Sequence, residues 1–114
     1  MNKIEAIIRS EKLTGVKDAL AEAGLVGLNV AHVTGRGAQK GFRAAGPRGL
    51  GSYSVEMLPK VKLELVVSDA DTQKAIDTII LKARTGDIGD GKIFVIPVAE
   101  AIRVRTGERG DEAL

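Results

Sequence analysis

An α+β fold of the ferredoxin-like type, with element order β-α-β, long loop, β-α-β, is predicted by three patterns in the sequence. Apolar residues alternate with polar ones in several short segments, which predicts strands with one buried face. Two longer segments carry apolar residues at helical spacing. A glycine-rich stretch that is poor in apolar residues separates the two βαβ units. Two helices on one face of an antiparallel sheet satisfy this order.

The first βαβ unit covers about the first 35 residues. Residues 3–9 alternate, with Ile4, Ala6 and Ile8 on one face, which predicts a half-buried strand. A second strand begins at about residue 28. The helix between them is indicated by the spacing of Leu13, Val16, Leu20 and Ala23. The loop after this unit runs from about residue 35 to 58, a length that is uncommon inside a compact domain and usually functional or disordered.

The second unit begins at Lys60, where apolar and polar residues alternate again as far as residue 67. Strands over 93–97 and about 100–105 complete the predicted fold, and the last is expected to be a short C-terminal strand that forms a hairpin with its neighbour. The second helix is indicated by one apolar stripe, Ala75, Ile76, Ile79, Ile80 and Ala83.

The composition limits the class of protein. A chain of 114 residues is expected to form one domain, residues 1–114. The net charge of +2 does not by itself indicate a nucleic-acid partner, and the absence of cysteine excludes disulfide and thiolate chemistry. With one histidine, His32, a zinc site is not expected. The chain has no apolar run of about 20 residues and no secretory signal pattern, so a cytoplasmic protein without membrane insertion is expected.

Residues 85–92, Thr-Gly-Asp-Ile-Gly-Asp-Gly-Lys, form the most informative segment. Its glycines allow tight turns with exposed backbone N–H groups, and Lys92 adds a cation, a combination that suits phosphate groups. Gly86 and Gly91-Lys92 match part of the Walker A pattern, but Ile93 replaces the magnesium-binding Ser/Thr and the segment runs from helix to strand. The alternative interpretation is a helix C-cap at Gly86 followed by an Asp90-Gly91 turn.

Two other segments have residues that suit phosphate binding. Arg103 and Arg105 would share one face of the predicted last strand, from which paired guanidinium groups can bind a phosphate. The alternative is a solvated strand face. The glycine cluster that begins at Gly35 and Gly37 could wrap an anion or act as a hinge, and its Gln39 offers an amide oxygen to a metal ion bound by phosphates.

The sequence favours a binding protein over an enzyme. It contains no Ser/His/Asp or Cys/His arrangement, and Asp87 and Asp90 are better explained by turn geometry than by acid–base chemistry. Ile7, Val33 and Val66 should lie on the sheet face that points away from the helices. An apolar second face must be covered, and self-association is the simplest cover.

These residues resemble the PII nitrogen-regulatory signal-transduction family. The resemblance is carried by the run from Thr85 to Val95, by the run from Arg103 to Gly110, by the opening Lys3–Arg9 and by Leu58–Lys62. It implies a homotrimer of ferredoxin-like subunits with nucleotide clefts between neighbours and a flexible T-loop at about 37–57. It also implies that ATP and ADP compete for the cleft and that 2-oxoglutarate joins through a Mg²⁺ ion held by ATP.

The resemblance also implies the role of individual residues. Gln39, Lys60 and Gly89 would contact 2-oxoglutarate, and Gln39 would reach the Mg²⁺ ion. Arg48 and Tyr53 would lie in the loop that engages partners, which are ammonium transporters or enzymes of nitrogen assimilation. The residues implied in nucleotide binding are Ile7, Gly35, Gly37, Ala38, Gln39, Val66, Gly89, Asp90, Gly91, Lys92, Arg103 and Arg105, the last two from the neighbouring subunit.

The chain departs from the best-known members at three places. Ala38 stands where they carry an arginine near the terminal phosphate, Arg36 replaces an apolar residue, and the loop is about two residues longer. The preference for ATP over ADP and modification of Tyr53 therefore stay open. The alternatives are a divergent PII-like adenine-nucleotide sensor that regulates a different target, an RNA-binding domain that uses the cationic segment 36–48, and a small phosphatase-type enzyme.

Overall fold

A computed structural model describes residues 1–36 and 58–114, and these residues form one four-stranded antiparallel sheet with two α-helices. The strands are β1 (Asn2–Arg9), β2 (Asn29–Gly35), β3 (Leu58–Val67) and β4 (Gly91–Pro97), in the spatial order β2-β3-β1-β4. The helices are α1 (Leu13–Glu22) and α2 (Thr72–Ala83). The described residues also form short 3₁₀ helices at Ser10–Lys12, Asp69–Asp71 and Gly110–Ala113. The predicted ferredoxin-like α+β fold is confirmed.

The core lies between the sheet and the two helices. The central strands β1 and β3 bury every second side chain, because side chains along a strand point alternately to opposite faces. Of the predicted apolar stripes, α1 buries Val16 and Leu20, and α2 buries Ala75, Ile79 and Ala83. The core residues are Ile4, Ala6, Ile8, Val16, Leu20, Leu25, Val61, Leu63, Leu65, Val67, Ala75, Ile79 and Ala83.

Helix α1 ends in a Schellman motif that its sequence encodes. Gly24 has φ +84°, a conformation that glycine adopts without the steric penalty of a Cβ atom. The Leu25 N–H donates to the Leu20 carbonyl (2.8 Å) and the Gly24 N–H donates to the Ala21 carbonyl (2.9 Å). Leu25 is buried directly after this turn, so the chain is directed back towards β2.

The outer face of the sheet, which points away from the helices, has a mixed surface. Ile7, Val33 and Val66 lie on it as predicted, partly buried between charged neighbours. Lys3 lies within 3.7 Å of Glu64 and 3.5 Å of Glu5, and Lys62 lies 3.6 Å from Glu64. Along the edge strand β4, the Phe94 and Ile96 side chains are 45% and 40% exposed. The described residues therefore leave apolar area uncovered on this face.

The predicted strand over about 100–105 is wrong. The segment that follows β4 forms one isolated bridge, between Ile102 and Arg109, around a turn in which the Gly107 N–H donates to the Arg103 carbonyl (2.7 Å). β4 pairs with β1 and not with this segment. Arg103 and Arg105 thus lie in a turn and not on one face of a strand. The turn exposes 99% of the Val104 surface.

Among the described residues, no helix combines the length and the apolarity that crossing a membrane would require.

Candidate anion-binding site at one end of the sheet

The carboxylate of Asp90 organises the loop between α2 and β4. It accepts hydrogen bonds from the Thr85 N–H (2.8 Å), the Thr85 hydroxyl (2.5 Å) and the Gly86 N–H (2.9 Å). It also accepts from Nε of Arg9 (3.1 Å) at the end of β1. Because the carboxylate is used inside the loop, Asp90 could contact a bound anion only through its backbone N–H. The predicted helix C-cap at Gly86 is wrong, since α2 ends at Ala83 and Gly86 lies in the next turn.

Because of these hydrogen bonds, the stability that the loop contributes to the fold depends on pH. The Thr85 hydroxyl, followed by the backbone N–H groups and Arg9, holds the pKa of Asp90 well below its ordinary value of 3.8. A carboxyl group with a lowered pKa stabilises the fold above its unfolded-state pKa, and this contribution is lost as the pH falls towards the folded-state pKa. The Asp90 carboxylate thus makes its full contribution to the stability of the fold at neutral pH.

We therefore expect Asp90→Asn to unfold at lower urea concentration than the parent protein at neutral pH. This difference should narrow between about pH 4 and about pH 2, because the unfolded parent binds a proton at this carboxyl group in that range while the folded parent keeps it ionised. Urea unfolding at several pH values measures it. Asp18→Asn, on the exposed side of α1, controls for the loss of one carboxylate. A difference that stays constant down to about pH 2 would contradict the expectation.

Two cations hold consecutive carbonyl groups of the same loop. Nη2 of Arg9 donates to the Ile88 carbonyl (3.0 Å), and Nζ of Lys60 donates to the Gly89 carbonyl (2.5 Å). Arg9 and Lys60 are directly opposite each other in the pairing of β1 with β3. Lys60 is buried, and this burial, followed by the nearby Arg9 charge, lowers its pKa. A positive field is therefore concentrated beside the glycine-rich loop.

The structure brings together seven of the predicted site residues at this end of the sheet. Lys92 lies beside Ile7 in the pairing of β4 with β1, and both point to the outer face. Gly35 ends β2 next to Lys60, whose Cγ atom would lie 3.8 Å from a Cβ built on Gly35. We call this group the loop cluster; it comprises Ile7, Gly35, Lys60, Gly89, Asp90, Gly91 and Lys92.

The start of β4 approaches β1 so closely that only glycine fits at position 91. A Cβ atom built on Gly91 would lie 1.7 Å from the Ile7 carbonyl oxygen and 2.8 Å from the Ile7 carbonyl carbon. Gly91 also has φ +100°. The glycine thus allows the loop to reach the sheet edge next to Ile7 and Lys92.

Val66, Arg103 and Arg105 are not part of the loop cluster. Val66 pairs with Lys3, four residues along β1 from Ile7, which corresponds to about 13 Å. The segment that carries the two arginines leaves β4 at the same end as Val66, where the Val98 N–H donates to the Met1 carbonyl (3.1 Å). We call Val66 together with this segment the distal group.

Val66 and the arginine-bearing segment of the distal group lie in different surroundings. Val66 borders a shallow depression of about 360 Å³, lined by Lys3, Gly27, Leu28, Asn29, Glu64, Leu65 and Val66. Arg103 Nη1 lies 2.7 Å from the Glu108 carboxylate. The Thr106 hydroxyl and the Arg103 charge lower the pKa of Glu108. Arg103 is thereby held in place, and Arg105 lies exposed in the same turn.

A larger groove of about 410 Å³ lies on the helix side of β4. Its walls are mainly aliphatic, from α2 and from the inward residues of β4, and Asp90, Gly91 and Lys92 form one rim. The aliphatic walls offer few partners to an anion, so the charged side of the loop cluster is the better candidate for a polar ligand.

Gly37, Ala38, Gln39, Arg48 and Tyr53 lie outside the described residues. Within residues 1–36 and 58–114, no three His, Cys, Asp or Glu side chains are grouped so that they could hold a metal ion. The described part of the site thus has the chemistry of an anion site, with lysine, arginine and backbone N–H groups.

The sequence patterns do not indicate roles for Arg9, Thr85 and Glu108. Each acts on a predicted residue and not on a motif of its own: Arg9 and Thr85 bind Asp90, and Glu108 binds Arg103. Alternation placed Arg9 on the polar side of β1, but the strand register that sets it beside Lys60 is a property of the fold. The Thr85-to-Asp90 spacing is the one local signal that could have indicated the loop's internal hydrogen bonds.

The fold and the site together define a ferredoxin-like α+β protein with a positively charged, glycine-rich loop between its second helix and its edge strand. The model of the family described as nitrogen regulatory protein P-II matches residues 1–108. The chain belongs to this family.

Relatives named as P-II proteins align with this chain over its whole length. The nitrogen regulatory protein P-II of Nostoc punctiforme is 53% identical over 114 residues, which cover 100% of both chains. Nitrogen regulatory protein P-II 1 of Methanothermobacter thermautotrophicus is 52% identical, over 100% of this chain and 97% of the relative. The crystal structure of Arabidopsis thaliana PII bound to citrate has a TM-score of 0.81 and 42% identity, over 99% of this chain and 91% of that chain. The chain is accordingly a regulatory protein and not an enzyme.

Proposed function

We propose that this protein binds ATP and ADP in clefts between the subunits of a homotrimer and reports the occupancy of these clefts to partner proteins. With MgATP bound, it would also bind 2-oxoglutarate. The partners would be ammonium transporters or enzymes of nitrogen assimilation, contacted through residues 37–57. The main observation in support is the loop cluster, in which Lys60 and Lys92 flank a glycine-rich loop at one end of the sheet.

The chemistry of the loop cluster suits phosphate groups. The lysine cations provide charge, and Gly89 in the turn and Gly91 at the start of β4, both with positive φ, allow the backbone to offer N–H donors to a close ligand. The side chain of Lys92 projects to the outer face beside Ile7, which offers an apolar surface to a ribose or base. One ligand with an anionic and an apolar part could use both.

The separation of the two groups supports a cleft between subunits. Ile7 of the loop cluster and Val66 of the distal group lie about 13 Å apart along the same sheet face in one protomer. We propose that a nucleotide contacts the loop cluster of one protomer and the distal group of the next. The apolar area on β4, which includes Phe94 and Ile96, provides surface for such an association.

A dicarboxylate effector would suit Lys60. This lysine already lies beside Arg9 and the Gly89 carbonyl, and a carboxylate could replace the carbonyl as its partner. The relative from Arabidopsis thaliana was solved bound to citrate, a carboxylate anion, which agrees with an effector of this chemistry. The Mg²⁺ ion would be held by ATP phosphates, by 2-oxoglutarate and by Gln39, since the described residues offer cations and N–H groups and not metal ligands.

Calorimetric titration of ADP, ATP and 2-oxoglutarate into the purified full chain tests the proposal. We expect saturable binding of both nucleotides at one per protomer, and a native mass of three times 12.0 kDa by light scattering. 2-Oxoglutarate should bind when MgATP is present and not when ADP is. A folded trimer that binds neither nucleotide would overturn the proposal.

The alternative is a divergent P-II-like adenine-nucleotide sensor that regulates a different transporter or enzyme. Ala38 and the longer loop, which depart from the best-known members of the family, favour it. The same titrations separate the two functions. Nucleotide binding without 2-oxoglutarate binding under any nucleotide condition would support the divergent sensor.

A further inference from the structure

We infer that Arg9 is a positioning residue, which orients the loop between α2 and β4 so that its backbone N–H groups face a bound phosphate. This inference rests on the proposed nucleotide function and adds a residue to it. Arg9 would act through the loop, without contact to the nucleotide. It is the last residue of β1, and its side chain is partly buried against the loop.

Arg9 binds the loop at two points. Its Nε donates to the Asp90 carboxylate (3.1 Å) and its Nη2 donates to the Ile88 carbonyl (3.0 Å). The Asp90 carboxylate in turn holds the N–H groups of Thr85 and Gly86 at the start of the loop. A planar guanidinium group can make both bonds at once, because its donors lie in a fixed fork. One side chain thus connects the beginning and the end of the loop to the sheet.

The two carbonyl bonds determine where the loop's N–H groups point. In a trans peptide the C=O and N–H bonds point in opposite directions, and the peptide bonds among the described residues are trans. The Ile88 carbonyl points to Arg9, so the Gly89 N–H points away from it. The Gly89 carbonyl points to Lys60, so the Asp90 N–H points away from Lys60. Each of these two successive N–H groups therefore points away from the cation that binds the carbonyl of its own peptide, and an anion can approach it there.

Loss of Arg9 would release the Ile88–Gly89 peptide. This peptide could then rotate and turn its carbonyl oxygen, with its partial negative charge, towards the phosphate. The cost would appear in nucleotide affinity more than in folding stability, because the loop lies outside the core. Lys60 would still hold the next carbonyl, so the loop would lose one of its two anchors.

A double-mutant cycle with ADP titrations tests the inference. Arg9→Gln and Asp90→Asn are each expected to weaken ADP binding about tenfold, as for loss of one charge-assisted hydrogen bond. The double variant should lose no more than the larger single loss, since both residues act through one network. Lys74→Gln removes a cation from an exposed ion pair on α2 and should bind ADP within about twofold of the parent.

The outcomes separate the inference from the proposed function. If the parent binds ADP and Arg9→Gln binds it within twofold of the parent, the inference alone is overturned. Additive losses in the double variant would also overturn it, because they would show that Arg9 affects ADP binding independently of its network with Asp90. If the parent itself binds no adenine nucleotide, both proposals are overturned. Should Arg9→Gln fail to fold, Arg9→Lys keeps one cation on the loop and should bind ADP more weakly than the parent.

Discussion

Replacement of Gly91 by alanine should destabilise the protein by about 3 kcal/mol or more. The added Cβ atom would lie 1.7 Å from the Ile7 carbonyl oxygen, a backbone atom of a central strand that cannot move like a flexible side chain. The φ of +100° adds strain for any residue with a Cβ atom. Relief would require β4 to separate from β1 at its start. The urea concentration at the midpoint of unfolding, with the m-value compared, measures this effect.

Gly86→Ala is the matched control for Gly91→Ala. Gly86 has a similar φ of +93° and lies in the same loop, but a Cβ atom there would meet no atom within 4 Å. We expect a loss of about 1–2 kcal/mol from backbone strain alone. Equal destabilisation by the two alanines would contradict the role of the close approach between Gly91 and Ile7.

Replacement of Lys92 by glutamine should weaken ADP binding at least tenfold, or about 1.4 kcal/mol, while folding stability is retained. Lys92 is exposed on the outer face beside Ile7, so its cation contributes little to the core and is available to a ligand. Glutamine keeps most of the side-chain length and removes the charge. Calorimetric titration at two salt concentrations measures both the affinity and the electrostatic share of the loss.

Lys74→Gln serves as the control for Lys92→Gln, because it removes one cation from the exposed surface of α2. It should bind ADP within about twofold of the parent. A Lys92→Gln variant with unchanged affinity would mean that phosphates bind elsewhere. A variant that also loses trimer mass would assign Lys92 to subunit association.

The sequence predicted β1, β3, α1 and α2 well because each carries its own hydrophobic period. Ile4, Ala6 and Ile8 are buried at every second position, and Val16 and Leu20 are buried at helical spacing. The prediction of the last strand, over about 100–105, relied on the same kind of periodicity and was wrong. Alternation at Ile102 and Val104 resembles a strand, but Val104 lies in a turn, with 99% of its surface exposed. Periodicity alone does not show whether a partner strand is available.

The residues of the candidate site could be predicted where neighbours in the sequence carry its chemistry. They could not be predicted where the site depends on the register of paired strands. The glycines and lysine of residues 85–92 indicated an anion loop directly from the sequence. The role of Arg9 requires the pairing of β1 with β3, which sets Arg9 opposite Lys60, and the packing of the loop against both. Such contacts join residues about 80 positions apart and leave no short motif. The proposed cleft between subunits would depend on a further level of assembly.

The distance between the loop cluster and the distal group has a consequence for mixed assemblies. If each ligand lies between the loop cluster of one chain and the distal group of its neighbour, every chain contributes to two different clefts. A chain defective at Lys92 keeps a sound distal group, and a chain defective at Arg103 keeps a sound loop cluster. Two inactive variants, unfolded and refolded together, would then regain some intact clefts, whereas sites built within single chains would regain none.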